Sequence, residues 1–188
     1  MLDLEYKAEA ILVRIRGVLT TELLDSLMAA IAYIGPGRPI ILTGAGGVFA
    51  LDLEPLYSPG REEALNRLPY VLAALRAHPL PVVAAINGNA VGAGYTLACA
   101  ADARIISGGV IQPSSGSTVR YSPPAAVAVG LADYCCAPAE LIGTALRQAS
   151  RCQPAGIAPF AVSSLGAKVR PGLAASVVEH GHEVARTV

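Results

Sequence analysis

Apolar and polar residues follow one another along this chain with the spacing of alternating strands and helices. Every second residue of 11–15 is apolar, which is the period of a strand, and three later runs are apolar almost throughout. Apolar residues three and four positions apart predict the helices between them. In chain order the predicted elements are a strand at 10–15, a helix at 21–34, a strand at 39–43, a helix at 61–78, a strand at 81–86, a short buried helix and a strand at 103–106. This order predicts a mostly parallel sheet with helical crossovers.

Glycine and proline punctuate these elements. Gly35 is expected to end the first helix, and Pro69 is expected either to kink the second helix or to begin its latter half. The inward face of the second helix is expected to carry Leu65, Leu68, Val71, Leu72 and Leu75.

The last third of the chain changes character. Residues 107–124 form a loop-rich run, and helices are expected to begin after Pro138 and Pro171, because proline suits the first turn of a helix. No repeat and no Ser/Gly-rich hinge separates domains. We therefore expect a single domain over 1–188, with a core over about 8–125 and a shortened helical part over about 126–188.

Composition excludes several classes of partner. The 188 residues include 14 basic and 14 acidic ones, so the formal net charge is zero and nothing favours nucleic acid or an anionic membrane surface. No uninterrupted apolar stretch of about 18 residues occurs, so no membrane span is expected. The four cysteines have neither zinc-ligand spacing nor the density of a small secreted framework. We expect a cytoplasmic protein without a metal site, acting on small molecules or protein surfaces.

The stretch 81–105, PVVAAINGNAVGAGYTLACAADARI, joins a β-branched strand to a run of glycine and alanine. Small residues there allow a ligand or another backbone to approach closely. An earlier strand likewise ends in the glycine turn 44–47. Two such segments present backbone N–H groups, and two amides converging on one oxygen form an oxyanion hole.

Two other kinds of site fit the sequence less well. A dinucleotide-binding loop would need a third glycine where Phe49 stands, and no phosphate-binding GxxxxGK[ST] motif occurs. A serine hydrolase with a nucleophile elbow would need GxSxG, which is absent, although the loop serines 114, 115 and 117 and the three histidines leave another serine arrangement open.

The stretch 81–105, together with IILTGAGGVFALDLE at 40–54, resembles the signature of the enoyl-CoA hydratase/isomerase (crotonase) superfamily. The resemblance covers about residues 8–106 and continues more faintly to about 185. It implies an α/β fold with the crotonase-like (ClpP/crotonase) β-β-α spiral core, usually assembled as trimers or dimers of trimers. It also implies an acyl thioester substrate, bound to coenzyme A or a carrier protein, and no cofactor beyond that coenzyme A.

The resemblance assigns an oxyanion hole to the amides of Leu51 and Ala93. Ala93 replaces the usual glycine, and the segment around Leu51 is about two residues shorter than the family pattern F-x-x-G-x-D. The catalytic positions of the family's two glutamates fall on Thr96 and on Ser114, or on Gly116 by simple counting. The neighbouring positions implied to contact substrate are Ala50, Asp52, Gly92, Gly94 and Tyr121.

The missing carboxylates change the expected chemistry. Hydroxyl groups do not titrate near neutral pH and cannot replace a tuned glutamate as general base, so hydration by the usual glutamate pair is not expected. Two functions remain open. The first is a lyase, isomerase or hydrolase that stabilises an enolate through its oxyanion hole. The second is a catalytically inactive member that serves as a binding or assembly partner.

Overall fold

The predicted sheet is present and mostly parallel. The computed structural model describes residues 2–151. Its larger sheet has the strand order β1-β2-β3-β5-β7-β9, and only the β1–β2 pair is antiparallel. The six strands are β1 (Leu2–Tyr6), β2 (Ile11–Ile15), β3 (Ile40–Gly44), β5 (Val82–Ile86), β7 (Ala103–Ile106) and β9 (Tyr134–Cys135).

A second, smaller sheet was not predicted. It consists of three short parallel strands in the order β4-β6-β8. These strands are β4 (Val48–Ala50), β6 (Asn89–Val91) and β8 (Ile111–Gln112). Each follows a strand of the larger sheet and precedes a helix, so the chain repeats a strand, a second strand and a helix three times.

The helices agree closely with the apolar spacing. The described part of the chain has five α-helices, α1 (Thr21–Ile34), α2 (Arg61–Ala77), α3 (Ala93–Ala98), α4 (Pro123–Ala128) and α5 (Leu141–Arg151). The Thr20 hydroxyl accepts from the Leu23 N–H at the start of α1, and Gly35 ends it with φ of +63°. Pro69 lies inside α2, which continues past it as one helix.

One predicted inward position is wrong. Leu65 is 47% exposed, and the preceding Ala64 is fully buried in its place. Successive side chains of an α-helix point about 100° apart, so Ala64 and Leu65 both lie at the border of the apolar stripe. Packing then decides which of the two is buried.

The central strands are buried on both faces, as is typical of parallel sheets. Ile11, Val13 and Ile15 of β2 join the core beneath α1 and α2, whereas Leu12 joins a second cluster with residues of α5. The helix expected after Pro138 is α5, which a short 3₁₀ turn at Pro138–Glu140 precedes. The helix expected after Pro171 lies outside the described residues. Within 2–151, no helix has the length and apolar character that crossing a membrane requires.

Candidate functional site

Parallel pairing of β4 with β6 brings together the two glycine-containing regions of the sequence. Val48 pairs with Asn89 and Ala50 with Ala90, with an irregularity in β4 between the two pairs. The chain leaves β4 through residues 51–53 and leaves β6 through Gly92 into α3. The positions implied for the oxyanion hole therefore follow two neighbouring strands.

Gly92 and Gly94 are the residues that permit this close approach. A Cβ atom on Gly94 would lie 2.2 Å from the Ala50 carbonyl oxygen, and one on Gly92 would lie 2.6 Å from Oδ1 of Asp52. Gly92 also has φ of +53°, a conformation that disfavours residues with side chains. Ala50, which is fully buried, thus contacts the first turn of α3 through its backbone.

Both amides that the resemblance assigns to the oxyanion hole have protein acceptors. The Ala93 N–H donates to Oδ1 of Asp52 at 2.9 Å. The Leu51 N–H donates to the carbonyl oxygen of Gly17 at 3.1 Å. The two donors therefore bind different acceptors, and their joint action on one substrate oxygen stays a prediction.

The Asp52 carboxylate is stabilised in its ionised form. Its partial burial raises the pKa, but the hydrogen bond from the Ala93 N–H, the polar groups of Ser115 and Leu53 and the positive charge of Arg61 outweigh this and hold the pKa below the usual aspartate value. The 114–117 turn and the start of α2 thus both contribute to the electrostatics of this carboxylate.

Neither position of the missing glutamate pair has an acidic side chain. Thr96 is half-buried, and its hydroxyl donates to the Gly92 carbonyl one turn earlier in α3, at 3.1 Å. Ser114 is exposed on the turn that follows β8. Tyr121 is half-buried and pairs through its backbone with Ile111, which returns the loop to the small sheet. Their catalytic and substrate-binding roles stay predictions.

Two residues that contribute to the site, Arg61 and Gln112, were not among the predicted ones, and Ser115 was considered only as a loop serine. Arg61 and Ser115 act on Asp52, and Gln112 organises the turn after β8. The Gln112 amide donates to three carbonyl oxygens of that turn, those of Ser114, Ser115 and Ser117, at 3.2, 3.3 and 2.8 Å. In the sequence Gln112 lies two residues before the candidate Ser114, but no spacing marks Arg61.

The other candidate residues are accounted for by structural contacts. His78 is buried, and its Nε2 lies 2.9 Å from the Arg38 carbonyl oxygen. It precedes β5, at the opposite end of that strand from the start of β6. Tyr95 is a core residue whose hydroxyl donates to the Leu131 carbonyl at 2.9 Å. Across 2–151, no group of three or more His, Cys, Asp or Glu residues is arranged to hold a metal ion.

Comparison with known proteins yields related sequences. A family model described as enoyl-CoA hydratase/isomerase matches residues 15–110. A probable enoyl-CoA hydratase, echA6, of Mycobacterium tuberculosis is 37% identical over 94 residues, which are 49% of this chain and 39% of that protein. A probable enoyl-CoA hydratase of Rhodobacter capsulatus is 44% identical over 75 residues, covering 36% and 28%. This chain thus aligns with well under half the length of these curated relatives.

Solved structures show the same fold. An enoyl-CoA hydratase/isomerase family protein from Pseudomonas syringae has a TM-score of 0.73 at 18% identity, covering 81% of this chain and 83% of that one. The enoyl-CoA hydratase of Bacillus anthracis has a TM-score of 0.70 at 20% identity, covering 80% and 76%. The predicted crotonase-like α/β fold is confirmed.

Proposed function

This chain belongs to the enoyl-CoA hydratase/isomerase family, and we propose that it binds an acyl thioester at the Ala93 amide and stabilises the enolate formed from it. The observation that carries this proposal is the hydrogen bond from the Ala93 N–H to an anionic oxygen, Oδ1 of Asp52. An amide that binds a carboxylate oxygen is suited to bind the negatively charged oxygen of an enolate. The neighbouring glycines are what lets the Asp52 carboxylate and the Ala50 carbonyl come this close to the Ala93 segment.

The second donor of the proposed oxyanion hole is the Leu51 N–H. In this role it would have to turn away from the Gly17 carbonyl oxygen, with which it is 3.1 Å apart. Ala50, Gly92 and Gly94 are proposed to shape the space around the acyl group, and Thr96 and Tyr121 to contact the substrate.

The proposed chemistry is not hydration by a glutamate pair. Thr96 and Ser114 have hydroxyl groups where that reaction requires carboxyl groups. Asp52 does not replace them, because a carboxylate whose pKa lies below the usual value is a weak general base at neutral pH. An isomerase, lyase or hydrolase reaction that proceeds through an enolate fits these residues better.

The test is exchange of the α-protons of acyl thioesters in D₂O, followed by NMR. Acetyl-CoA and an acetylated acyl carrier protein present the same thioester, so comparing them distinguishes the two carriers. Ala93→Pro removes the N–H donor at the first helical position, where proline is tolerated, and Ala93→Gly is the control that keeps the donor. We expect Ala93→Pro to slow exchange by about 10²- to 10³-fold, the typical effect of losing one oxyanion donor. Absence of exchange with every thioester would contradict enolate chemistry.

A second function, thioester binding or assembly without catalysis, is favoured by one specific observation. Both implied oxyanion donors have acceptors within the protein, Gly17 for Leu51 and Asp52 for Ala93. For this function we expect acetyl-CoA to bind without any exchange of its α-protons. Calorimetric binding combined with the exchange assay therefore separates an enzyme from a binding protein.

Assembly is a further part of the proposal. Family resemblance favours a homo-oligomer, a trimer or a hexamer, in the cytoplasm. Analytical ultracentrifugation of the full chain measures this, and a monomer over the whole concentration range would contradict it.

A further inference from the structure

We infer that the Asp52 carboxylate is an internal competitor of the acyl oxygen for the Ala93 amide, and that Arg61 receives this carboxylate when a thioester binds. The inference rests on the proposed function, since it concerns how access to the same amide is controlled. It gives Asp52 an autoinhibitory role and makes Arg61 a positioning residue.

The competing contact is built into the backbone. Oδ1 of Asp52 lies 2.9 Å from the Ala93 nitrogen, within the range of a good hydrogen bond. The carboxylate can lie there because residue 92 is glycine, whose Cβ position would be 2.6 Å from both Cγ and Oδ1 of Asp52. An acyl oxygen that is to accept from this N–H has to displace Oδ1.

The displacement is confined to the side chain of Asp52. Its carbonyl oxygen accepts from the Leu19 N–H at 3.1 Å, and the next residue, Leu53, forms a parallel bridge with Leu19. These contacts hold the main chain on both sides of the carboxylate. Freeing the Ala93 N–H from Asp52 therefore requires only rotation about the side-chain bonds of Asp52.

Arg61 is placed to receive the displaced carboxylate. It begins α2, and its Nη1 donates to the Glu54 carbonyl oxygen, which anchors the guanidinium near the 51–54 segment. Its positive charge acts on Asp52, yet among the ion pairs of residues 2–151 none joins the two side chains within 4 Å. Rotation of Asp52 away from Ala93 thus leaves its charge under the electrostatic influence of Arg61 and Ser115.

Binding of two probes to four proteins tests this inference. Acetyl-CoA has the acyl oxygen and coenzyme A lacks it, so only acetyl-CoA competes with Asp52. The proteins are the wild type, Asp52→Ala, Arg61→Gln and the control Asp102→Asn. Asp102 also accepts from a backbone N–H, that of Val82 at 2.9 Å, but at the other end of the sheet. Affinities are measured by isothermal titration calorimetry at fixed ionic strength.

Asp52→Ala is expected to bind acetyl-CoA about 10-fold more tightly or better, because it removes a charge-assisted hydrogen bond that the ligand has to break. Its affinity for coenzyme A is expected to stay within about 2-fold of wild type. Arg61→Gln is expected to bind acetyl-CoA several-fold more weakly, since the displaced carboxylate loses its cation. Asp102→Asn is expected to match the wild type for both probes.

Each alternative outcome has a distinct meaning. If Asp52→Ala and the wild type bind acetyl-CoA equally, the competition is refuted and the proposed function stands. If Asp52→Ala gains affinity equally for acetyl-CoA and coenzyme A, the substitution acts through its general change of charge, and the competition is also refuted. If neither probe binds to any variant, the proposed function and this inference fail together. Should Asp52→Ala not fold, Asp52→Asn keeps the shape with a weaker acceptor and is expected to show a smaller gain, again for acetyl-CoA alone.

Discussion

Replacing Gly94 by alanine adds one methyl group at the closest contact between the two segments of the site. The new Cβ would lie 2.2 Å from the Ala50 carbonyl oxygen, 2.5 Å from its carbonyl carbon and 2.7 Å from the Leu51 oxygen. A carbon–oxygen contact normally stays at about 3.3 Å or more. The segments therefore have to separate by about 1 Å, and no side chain can rotate away because every obstructing atom belongs to the backbone.

The expected loss of stability follows from two opposing effects. Overpacking a tightly packed site costs about 1–3 kcal/mol, and the upper part of this range applies because Leu51 is also hydrogen-bonded to Gly17. Alanine improves helix propensity over glycine by about 1 kcal/mol. The net expectation is that Gly94→Ala lowers the free energy of unfolding by about 1–2 kcal/mol.

Urea unfolding followed by circular dichroism measures this change. Gly143→Ala in α5 is the matched control, because the nearest atom to its new Cβ is Nη1 of Arg147 at 3.5 Å, at the end of a flexible side chain. That variant is expected to be neutral or up to about 1 kcal/mol more stable. A Gly94→Ala protein as stable as the wild type would refute the close packing of α3 against the 50–51 segment.

Three other changes have expected outcomes of known sign. The Asn87 side chain donates to the Gly44 carbonyl oxygen and accepts from the Gly44 N–H, at 3.0 Å each, just beyond the last β3–β5 pair. Asn87→Ala is therefore expected to lower the free energy of unfolding, measured with urea, by about 2 kcal/mol. An unchanged unfolding midpoint would contradict this. Pro69 is exposed inside α2 and has no N–H to donate to the helix, so Pro69→Ala is expected to raise the free energy of unfolding by about 1–2 kcal/mol. Equal stability of the two proteins would mean that α2 accommodates the proline without cost. The pKa of Asp52 is lowered by folding, so its ionic contribution is complete above the usual aspartate value of about 3.9 and is lost as pH falls through the folded value. The stability difference between wild type and Asp52→Asn is accordingly expected to shrink only below about pH 4, and shrinkage near pH 6 would contradict the lowered pKa.

The sequence predicted those elements whose apolar pattern is long enough to be periodic. The helix α1 matches its predicted bounds because its apolar spacing and the glycine at its end, Gly35, both agree with the structure. The strands β4, β6 and β8 have two or three residues each, which is too short to show a period. They exist because parallel neighbours pair with them, and pairing between distant segments leaves no local signal. The strand β1 was not predicted, although Leu2 and Leu4 alternate there with acidic residues.

The site could be predicted as two segments but not as a set of contacts. Small residues at 92–94 and after β3 correctly indicated that two backbones approach each other, because only glycine admits the distances found there. The partner of the Ala93 amide is 41 residues away in sequence, and Ser115 and Arg61 reach the same carboxylate from two further elements. Sequence spacing does not predict which of several possible acceptors receives the hydrogen bond from a backbone N–H. That choice depends on the register of β4 against β6.

The Ala93 amide has to satisfy two requirements that oppose each other. A buried N–H without an acceptor destabilises the folded protein, so the apo state benefits from the Asp52 carboxylate. In the proposed function a thioester binds the same N–H, and to do so it has to replace a charged acceptor with its neutral carbonyl oxygen. An enolate oxygen is itself anionic and restores the hydrogen bond at full strength. In the proposed function, displacing Asp52 costs the neutral thioester and the enolate equally, and the stronger hydrogen bond from Ala93 to the anionic oxygen is what favours the charged intermediate over the ground state.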